Sequence, residues 1–538
     1  MPNAKDLTRR YEQLANERKT FEANWQEIAD HELGRRDFIT MRTAGEQRMQ
    51  RIYDDTAKVS GGLLAGAMHS LLTNPATKWF ELKFEDNRLN QIPTAALWLH
   101  FAEKQLYNAF NRPEAGFHAQ LAENYIDLVY FGTSCLFVED VAGSGVRFSA
   151  RPLAEMYLAE NAAGRIDTVF RKFRLTARQA VELFGVRAKR AQKDMNSNRP
   201  DDRRDYLHVI VPNGDRTVGR IDVAGMAWAS FMVAFEENEI LSAGGYREFP
   251  LAIPRWQKDA GETYGRGPGW DALSDQKMVN EMKRVSLKAG QKAVDPPLLV
   301  DSEGVLPSQL RVRPGGIIPI NAVMSQLNPP VQALESKTRF DISVTLIEDT
   351  RQQVKEAFHH QLIEMIRDPR MTATQVLELS AQMQRHLAPI LGRMQTEMLE
   401  PTIERVFAIE ARAGRLPAIP LELQGQPLKI EYVSPVARAQ KASDARAIID
   451  LFNIGSGLVQ IEPGVLDVLN MDAGIRELAD ALGVPPTVIR SVEQVEARRQ
   501  AMAQLAEERD AERQTQIAAD VAQKVVPLVQ SGAPGAAS

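Results

Sequence analysis

Apolar side chains along this chain recur mostly at intervals of three and four, the period of a helix buried on one side. The clearest run extends from Arg351 to Ile409. Val354, Phe358, Leu362 and Met365 mark one amphipathic helix, and Leu379, Met383, Leu387, Leu391, Met394 and Met398 mark another. Pro369 disfavours continuation of the first, and Thr372 to Gln375 reads as a capping box in which each side chain satisfies an orphan amide. The pattern predicts helix, short basic turn, helix, with Arg367 and Arg370 at the tip of the turn. Pro389 and Pro401 are expected to bend the second helix.

Elsewhere the period predicts an amphipathic helix over Asp6 to Arg35, with Tyr11, Leu14, Phe21, Trp25 and Ile28 on one face. A small-residue helix over Ala57 to Leu72 ends before the Asn74-Pro75 pair, and KWFELKF then alternates as a strand. Trp98 to Asn111 and Phe117 to Tyr130 read as helices. From Thr133 to about Ile253 the runs are β-rich and divided by turn signals, with one helix at Thr176 to Phe184. The polar segment Ala188 to Arg204 reads as an exposed loop. After the glycines of YGRGPG a long helix begins near Ser274 and ends at Val294, before Asp295-Pro296. Residues 295–330 are Pro/Gly-rich with short β-type runs, PPLLVD, LRVRP and GIIPI, and a second long helix covers Ser336 to Ile366. A strand in LKIEYVSP, helices at ARAQKASDARAIIDLF, Gly474 to Leu482 and Pro486 to Lys524, and a flexible SGAPGAAS end complete the chain. The fold class this predicts is α+β, mainly helical.

At 538 residues the chain is too long for one core. An apolar content of 44% with 25% charged residues is that of a folded protein, and excludes disorder over most of its length. A formal charge of −5 argues against gripping nucleic acid with the whole surface, though not against a locally basic lining. The one cysteine, Cys135, rules out intrachain disulfides and cysteine-based zinc sites, and a reducing compartment is expected. The polar N-terminus predicts no signal peptide, and the apolar run from Ser60 is too short to span a bilayer.

No catalytic constellation emerges. YGRGPG lacks the Gly-Lys-Ser/Thr ending of a phosphate loop and reads as a turn before a helix. His359 and His360 are adjacent, so on a helix they diverge by about 100° and do not share a metal. Cys135 reads as a small buried hydrophobe, and Asp54-Asp55 and Asp201-Asp202 as surface charge clusters. Lys277, Arg284, Lys288 and Lys292 share one helix face. That face either is solvated or pairs with a neighbouring subunit, or else lines a channel where sparse positive charge attracts phosphate. Val492, Val495, Met502 and Leu505 form a narrow apolar seam suited either to an intrachain helix pair or to copies of the same helix in a ring.

Five blocks carry a family resemblance: the opening tryptophan-bearing and small-residue helices leading to PATKWF, then LTARQAVELFG, the two long helices around a Pro-rich insertion, the Arg351 to Ile409 segment, and SPVARAQ. Together they closely resemble the head-to-tail connector, or portal, proteins of short-tailed bacteriophages. The resemblance implies a wing (1–265), first stem helix (266–294), clip (295–335), second stem helix (336–366), tunnel loop (367–372), long wing helix with return strand (373–434), crown (435–500) and C-terminal helix or barrel (501–538). On the matching positions the tunnel loop falls to Ile366, Arg367, Asp368, Pro369, Arg370 and Met371, touching double-stranded DNA without reading its bases. The resemblance further implies a closed ring of twelve subunits at one capsid vertex of the virion, assembled in the host cytoplasm. Expected partners are the large terminase, a tail adaptor, and the major capsid and scaffolding proteins, with no membrane, cofactor or catalysis. A non-viral, non-catalytic helical adaptor is the alternative, but it would need long uninterrupted heptads and no large β-rich region.

Overall fold

A computed structural model describes residues 3–39, 52–90, 92–141, 143, 145–220, 222–301, 316–320, 331–333, 340–361, 363, 373–420, 423–433, 435–458, 469–482, 484, 488–490 and 492–530. The fold is α+β and mainly helical. The chain forms two compact units, one of Met1–Glu81, Lys104–Leu416 and Ile430–Val436, the other of Leu82–Glu103, Pro417–Lys429 and Ala437–Ser538.

In the larger unit the first helix, Ala4–Ile28, starts where Asn3 accepts a hydrogen bond from the Lys5 amide, and it passes into a π-turn at Ala29–Leu33. Strand β1 (Phe80–Phe84) buries Phe80, Leu82 and Phe84 and leaves Glu81 and Lys83 partly exposed, the predicted alternation. The β-rich region folds into two sheets. Strands β2 (Cys135–Val141), β3 (Gly145–Arg151) and the short β9 (Leu251–Ala252) make one, in the order β3-β2-β9. Strands β4 (Met156–Glu160), β5 (Ile166–Thr176), β6 (Arg203–Pro212), β7 (Trp228–Ala234) and β8 (Glu239–Tyr246) make an antiparallel meander in sequence order. Leu7, Tyr11 and Leu14 of the first helix close one face of the meander against Tyr157, Phe170, Leu207, Val209, Phe231 and Val233. Arg18 follows them inward, donating to the carbonyls of Leu153 at 3.0 Å and Ala154 at 2.8 Å while its guanidinium lies 3.7 Å from the Tyr157 ring centre.

The expected loop at Ala188 to Arg204 is a correction: a helix forms at Lys189–Asn196. Its polar composition hides a face of small residues, because Ala188 and Ala191 need only cover Phe173, Tyr206 and Leu241, which the sheet supplies. Asp194 then pairs with Arg204 at 2.6 Å across the turn. The preceding helix, Ala177–Phe184, opens with a capping box between Thr176 and Gln179 that satisfies two amides. The capping box expected at Thr372 to Gln375 lies outside the described residues.

The first long helix is Pro268–Val294, about 40 Å at 1.5 Å per residue, and it begins six residues before the expected start at Ser274. Pro268 sits at its first position, where a missing amide costs nothing. The glycines before and after it serve close approach: a Cβ on Gly267 would lie 2.5 Å from the Val129 carbonyl, and one on Gly269 would lie 2.6 Å from that of Tyr130. Between the long helices, β10 (Leu298–Asp301) pairs parallel with β11 (Ile317–Ile320) and antiparallel with β12 (Val331–Ala333). The first two match PPLLVD and GIIPI; the third is too short to show a period.

The second long helix, expected over Ser336 to Ile366, runs as Phe340–Ala357, breaks at Phe358 and His359, and is helical again at His360, Gln361 and Ile363. His359 takes a left-handed conformation, φ 53°, which no right-handed helix continues through. The premise that His359 and His360 share a helix therefore fails. Further on, Ala373–Met394 contains Pro389, and a π-turn at Gln395–Leu399 precedes Glu400–Arg412 with Pro401 in its first turn. Proline at position 401 has no N–H to give a carbonyl one turn back, and the wider π-turn lies immediately before it. Strand β13 (Leu428–Tyr432) follows, as expected from LKIEYVSP.

The smaller unit gathers Ala437–Ser538 with two pieces from elsewhere in the chain, Leu82–Glu103 and Pro417–Lys429. The Trp98 indole donates to the Pro417 carbonyl at 3.1 Å, and Glu103 accepts the Leu82 amide at 2.8 Å. Its helices are Pro435–Leu458, Met471–Ala481 and Val492–Gln530, with Arg499 paired to Asp472 at 2.6 Å. Val492, Met502 and Leu505 are exposed, and among the described residues no helix covers them.

Candidate stem and channel site

The two long helices are tied together by a residue that the sequence places at the surface. Asp54, 1% exposed, sits just before the Thr56–Leu72 helix, where its Oδ1 accepts the Thr56 amide at 3.0 Å. Its Oδ2 takes Lys283 of the first long helix at 3.1 Å and Arg351 of the second at 2.8 Å. The backbone around it is held as firmly. Asn280 Oδ1 accepts the amides of Tyr53 and Asp54, each at 2.9 Å, and Gln276 donates to the Asp54 carbonyl at 2.8 Å. Burial raises the pKa of this carboxyl, but the bonds from Thr56, Arg351 and Lys283 outweigh it and bring the value down to about 2. Asp54 is thus an ionised knot at the head of a helical hairpin. The signal in the sequence is the Asp-x-Thr spacing before a helix, a local turn motif.

A second knot fastens the Gln395–Leu399 π-turn and the helix after it to the sheets. Arg255, 3% exposed, pairs with Glu397 of the π-turn at 2.7 Å and with Glu160 at the end of β4, and donates to the Gly164 carbonyl at 3.1 Å. Burial opposes its charge, while Glu397 and Glu160 raise its pKa. Arg405, one helix on, donates to the Val138 carbonyl at 2.9 Å and that of Glu248 at 3.1 Å. These buried arginines hold the helix after the turn at a fixed place on the sheets.

Of the basic face, Lys277 is bonded to Glu27 and Arg284 to Glu281, both within the chain. Lys288 is exposed and Lys292 partly so. The six tunnel-loop positions, Ile366 to Met371, lie outside the described residues. Cys135 is fully buried in β2, and burial pushes its thiol pKa up, as suits an inert hydrophobe. His360 is buried and His359 half-buried. Among the described residues no group of three or more His, Cys, Asp or Glu side chains is placed to hold a metal ion, and no helix is long and apolar enough to cross a membrane.

One buried acid belongs to neither knot. Glu32, in the π-turn after the first helix, is fully buried, and its carboxyl oxygens have no hydrogen-bond partner among the described residues. Burial raises its pKa well above the usual carboxylate value. A raised acid contributes no penalty below the unfolded value near 4.3, and stability is lost as pH climbs beyond it. Glu32→Gln is therefore expected to raise stability at pH 7, because the variant has no charge to bury. Urea unfolding between pH 5 and 8 checks this: the variant's pH slope should be flatter than that of the parent.

The family described as "Bacteriophage head to tail connecting protein" matches residues 4–489. The "Portal protein" of Salmonella phage epsilon15 is 29% identical over 540 residues, covering 98% of this chain and 96% of that protein. The "Probable portal protein" of Bordetella phage BPP-1 is 30% identical over 500 residues, covering 90% and 88%. A chain in the solved "Neck of empty GTA particle computed with C6 symmetry" aligns at 11% identity with a TM-score of 0.37, covering 79% of this chain and 94% of that one, a likeness too low to bear on the fold. A match spanning both compact units and both knots leaves one assignment: the chain belongs to the bacteriophage head-to-tail connecting protein family.

Proposed function

We propose that the protein is the portal subunit of a short-tailed phage, a structural component at one capsid vertex that forms a ring connecting head to tail. Near-full-length similarity to two phage proteins named as portals carries this reading. The ring has twelve subunits, and double-stranded DNA passes through it during packaging and ejection. A closed ring needs a heterologous contact, one face of each copy meeting a different face of the next. The large terminase and later the tail adaptor dock on the clip, and the chain itself catalyses nothing. The exposed seam at Val492, Met502 and Leu505 supports contacts between copies in the crown. Electron microscopy of the purified protein tests the reading. Rings are expected, and monomers or two-fold dimers at every concentration would refute it.

In this reading Arg367 and Arg370 reach the DNA from the tunnel loop and touch phosphate without base contacts. Replacing both with alanine is expected to cut the yield of filled heads several-fold, measured as nuclease-protected genome per particle. Unchanged packaging and retention would remove the loop's arginines from the mechanism while leaving the portal assignment intact.

A further inference from the structure

The two long helices each bury one side and leave the other bare. On Pro268–Val294 the bare side is Met278, Glu281, Val285 and Lys288, spaced by three and four, with Met278 46% and Val285 51% exposed. On Phe340–Ala357 the inward side is Ile347, Thr350 and Val354, and the bare side is Leu346, Asp349 and Gln353, with Leu346 52% exposed. The exposed apolar groups of these rows are Met278 and Val285 on the first helix and Leu346 on the second. The first side carries Glu281, which pairs with Arg284 within the chain, and Lys288; the second carries Asp349. Among the described residues Lys288 and Asp349 form no ion-pair contact within the chain, although the hydrogen bond from Arg284 and then the charge of Lys288 lower the pKa of Glu281.

The Asp54 knot supplies a register. Lys283 and Arg351 reach the same carboxylate oxygen, and Leu298 pairs with Ala333 at the far end, so positions 283 and 351 lie within about one turn of each other on antiparallel helices. Counting outward, Glu281 is level with Gln353, Val285 with Asp349, and Lys288 with Leu346, each to within that turn. Copies related by a cyclic axis stay at one height, so for helices running along that axis the same levels hold between neighbours. Three residues of helix rise about 4.5 Å, within the reach of a lysine. Each diagonal is then complementary, Val285 beside Leu346 and Lys288 beside Asp349, while Glu281 faces the Gln353 amide.

We propose that the bare face of the first long helix binds the bare face of the second long helix of an adjacent copy, with Lys288 pairing to Asp349 and Val285 packing on Leu346. This rests on the ring reading above and names the contact that closes it. It also moves Lys288 from the channel wall to the seam between subunits.

Charge exchange in the full-length chain tests it, with assembly read by electron microscopy and native mass spectrometry, and thermal melting recorded for each variant. The unaltered protein should form rings; if it forms none, the portal reading falls before this contact is tested. Lys288→Glu and Asp349→Lys alone should each lose rings in favour of monomers, and the double variant should restore them. Rings at parental yield in the single variants, or folded monomers in the double variant, would overturn the proposal. Should a single variant melt early, Val285→Cys with Leu346→Cys decides the question. Cys135 is buried, so a short bismaleimide should give a ladder of linked oligomers, and its absence in assembled protein also overturns the contact.

Discussion

Asp54→Ala should loosen the two long helices from each other and cost about 3.5 kcal/mol, of which about 2.5 kcal/mol is the ionisation linkage and about 1 kcal/mol the lost turn at the helix start. The arithmetic rests on a carboxyl whose pKa falls from its ordinary value to about 2 on folding. The sign is fixed by that direction. A depressed acid lends its stability above the unfolded pKa, so the contribution is complete above about pH 4 and disappears as pH falls toward 2. Urea titrations of the two proteins should accordingly differ most at pH 7, and by pH 2 the difference should narrow toward the turn's share. Asp54→Asn separates the parts, since it keeps the turn geometry but leaves Lys283 and Arg351 without a counter-charge. It should recover no more than the turn's share. Equal stability of parent and alanine variant at pH 7 would mean that the knot contributes nothing net.

Arg255→Met should destabilise the larger unit by about 3–5 kcal/mol, the usual result of removing one partner from a buried ion network. The guanidinium is the common partner of Glu160 and Glu397, and only Glu160 keeps a second cation, Lys258 at 2.7 Å. Glu397 would be left part-buried beside methionine. Neutralising it as well, in Arg255→Met with Glu397→Gln, should return at least half of the loss, because the penalty comes chiefly from the stranded charge. Denaturant unfolding measures both variants. Limited proteolysis adds a local readout: cleavage near the Gln395–Leu399 π-turn should rise in the single variant and fall back in the double. If the double variant is no better than the single, the loss lies in packing by the arginine stem instead.

The helices of this protein were legible from the sequence because their signal is local. Spacing of three and four identifies the buried face whatever lies opposite it, so Tyr11, Leu14, Val354, Leu387 and Met398 were assigned inward without knowledge of their partners, and all are buried. The same local reading assigned the β-rich region, the strand at Phe80–Phe84 and the stop before Pro296. Family membership was also written in short blocks of residues that span nearly the whole chain.

What the sequence left undecided has a common cause, contacts over long separations. Asp54 looks like half of a surface acidic pair until Arg351, 297 residues away, arrives beside it. Arg255 and Glu397 are 142 residues apart, and nothing local pairs them. The Lys189–Asn196 helix was hidden because two alanines suffice when a sheet supplies the rest of the core. The break in the second long helix at Phe358 and His359 depends on His359 turning left-handed, a conformation its own residue type does not demand. Periodicity along the chain decided which faces turn inward. The fate of each charge depended on what the fold brings across, and only tertiary structure determined that.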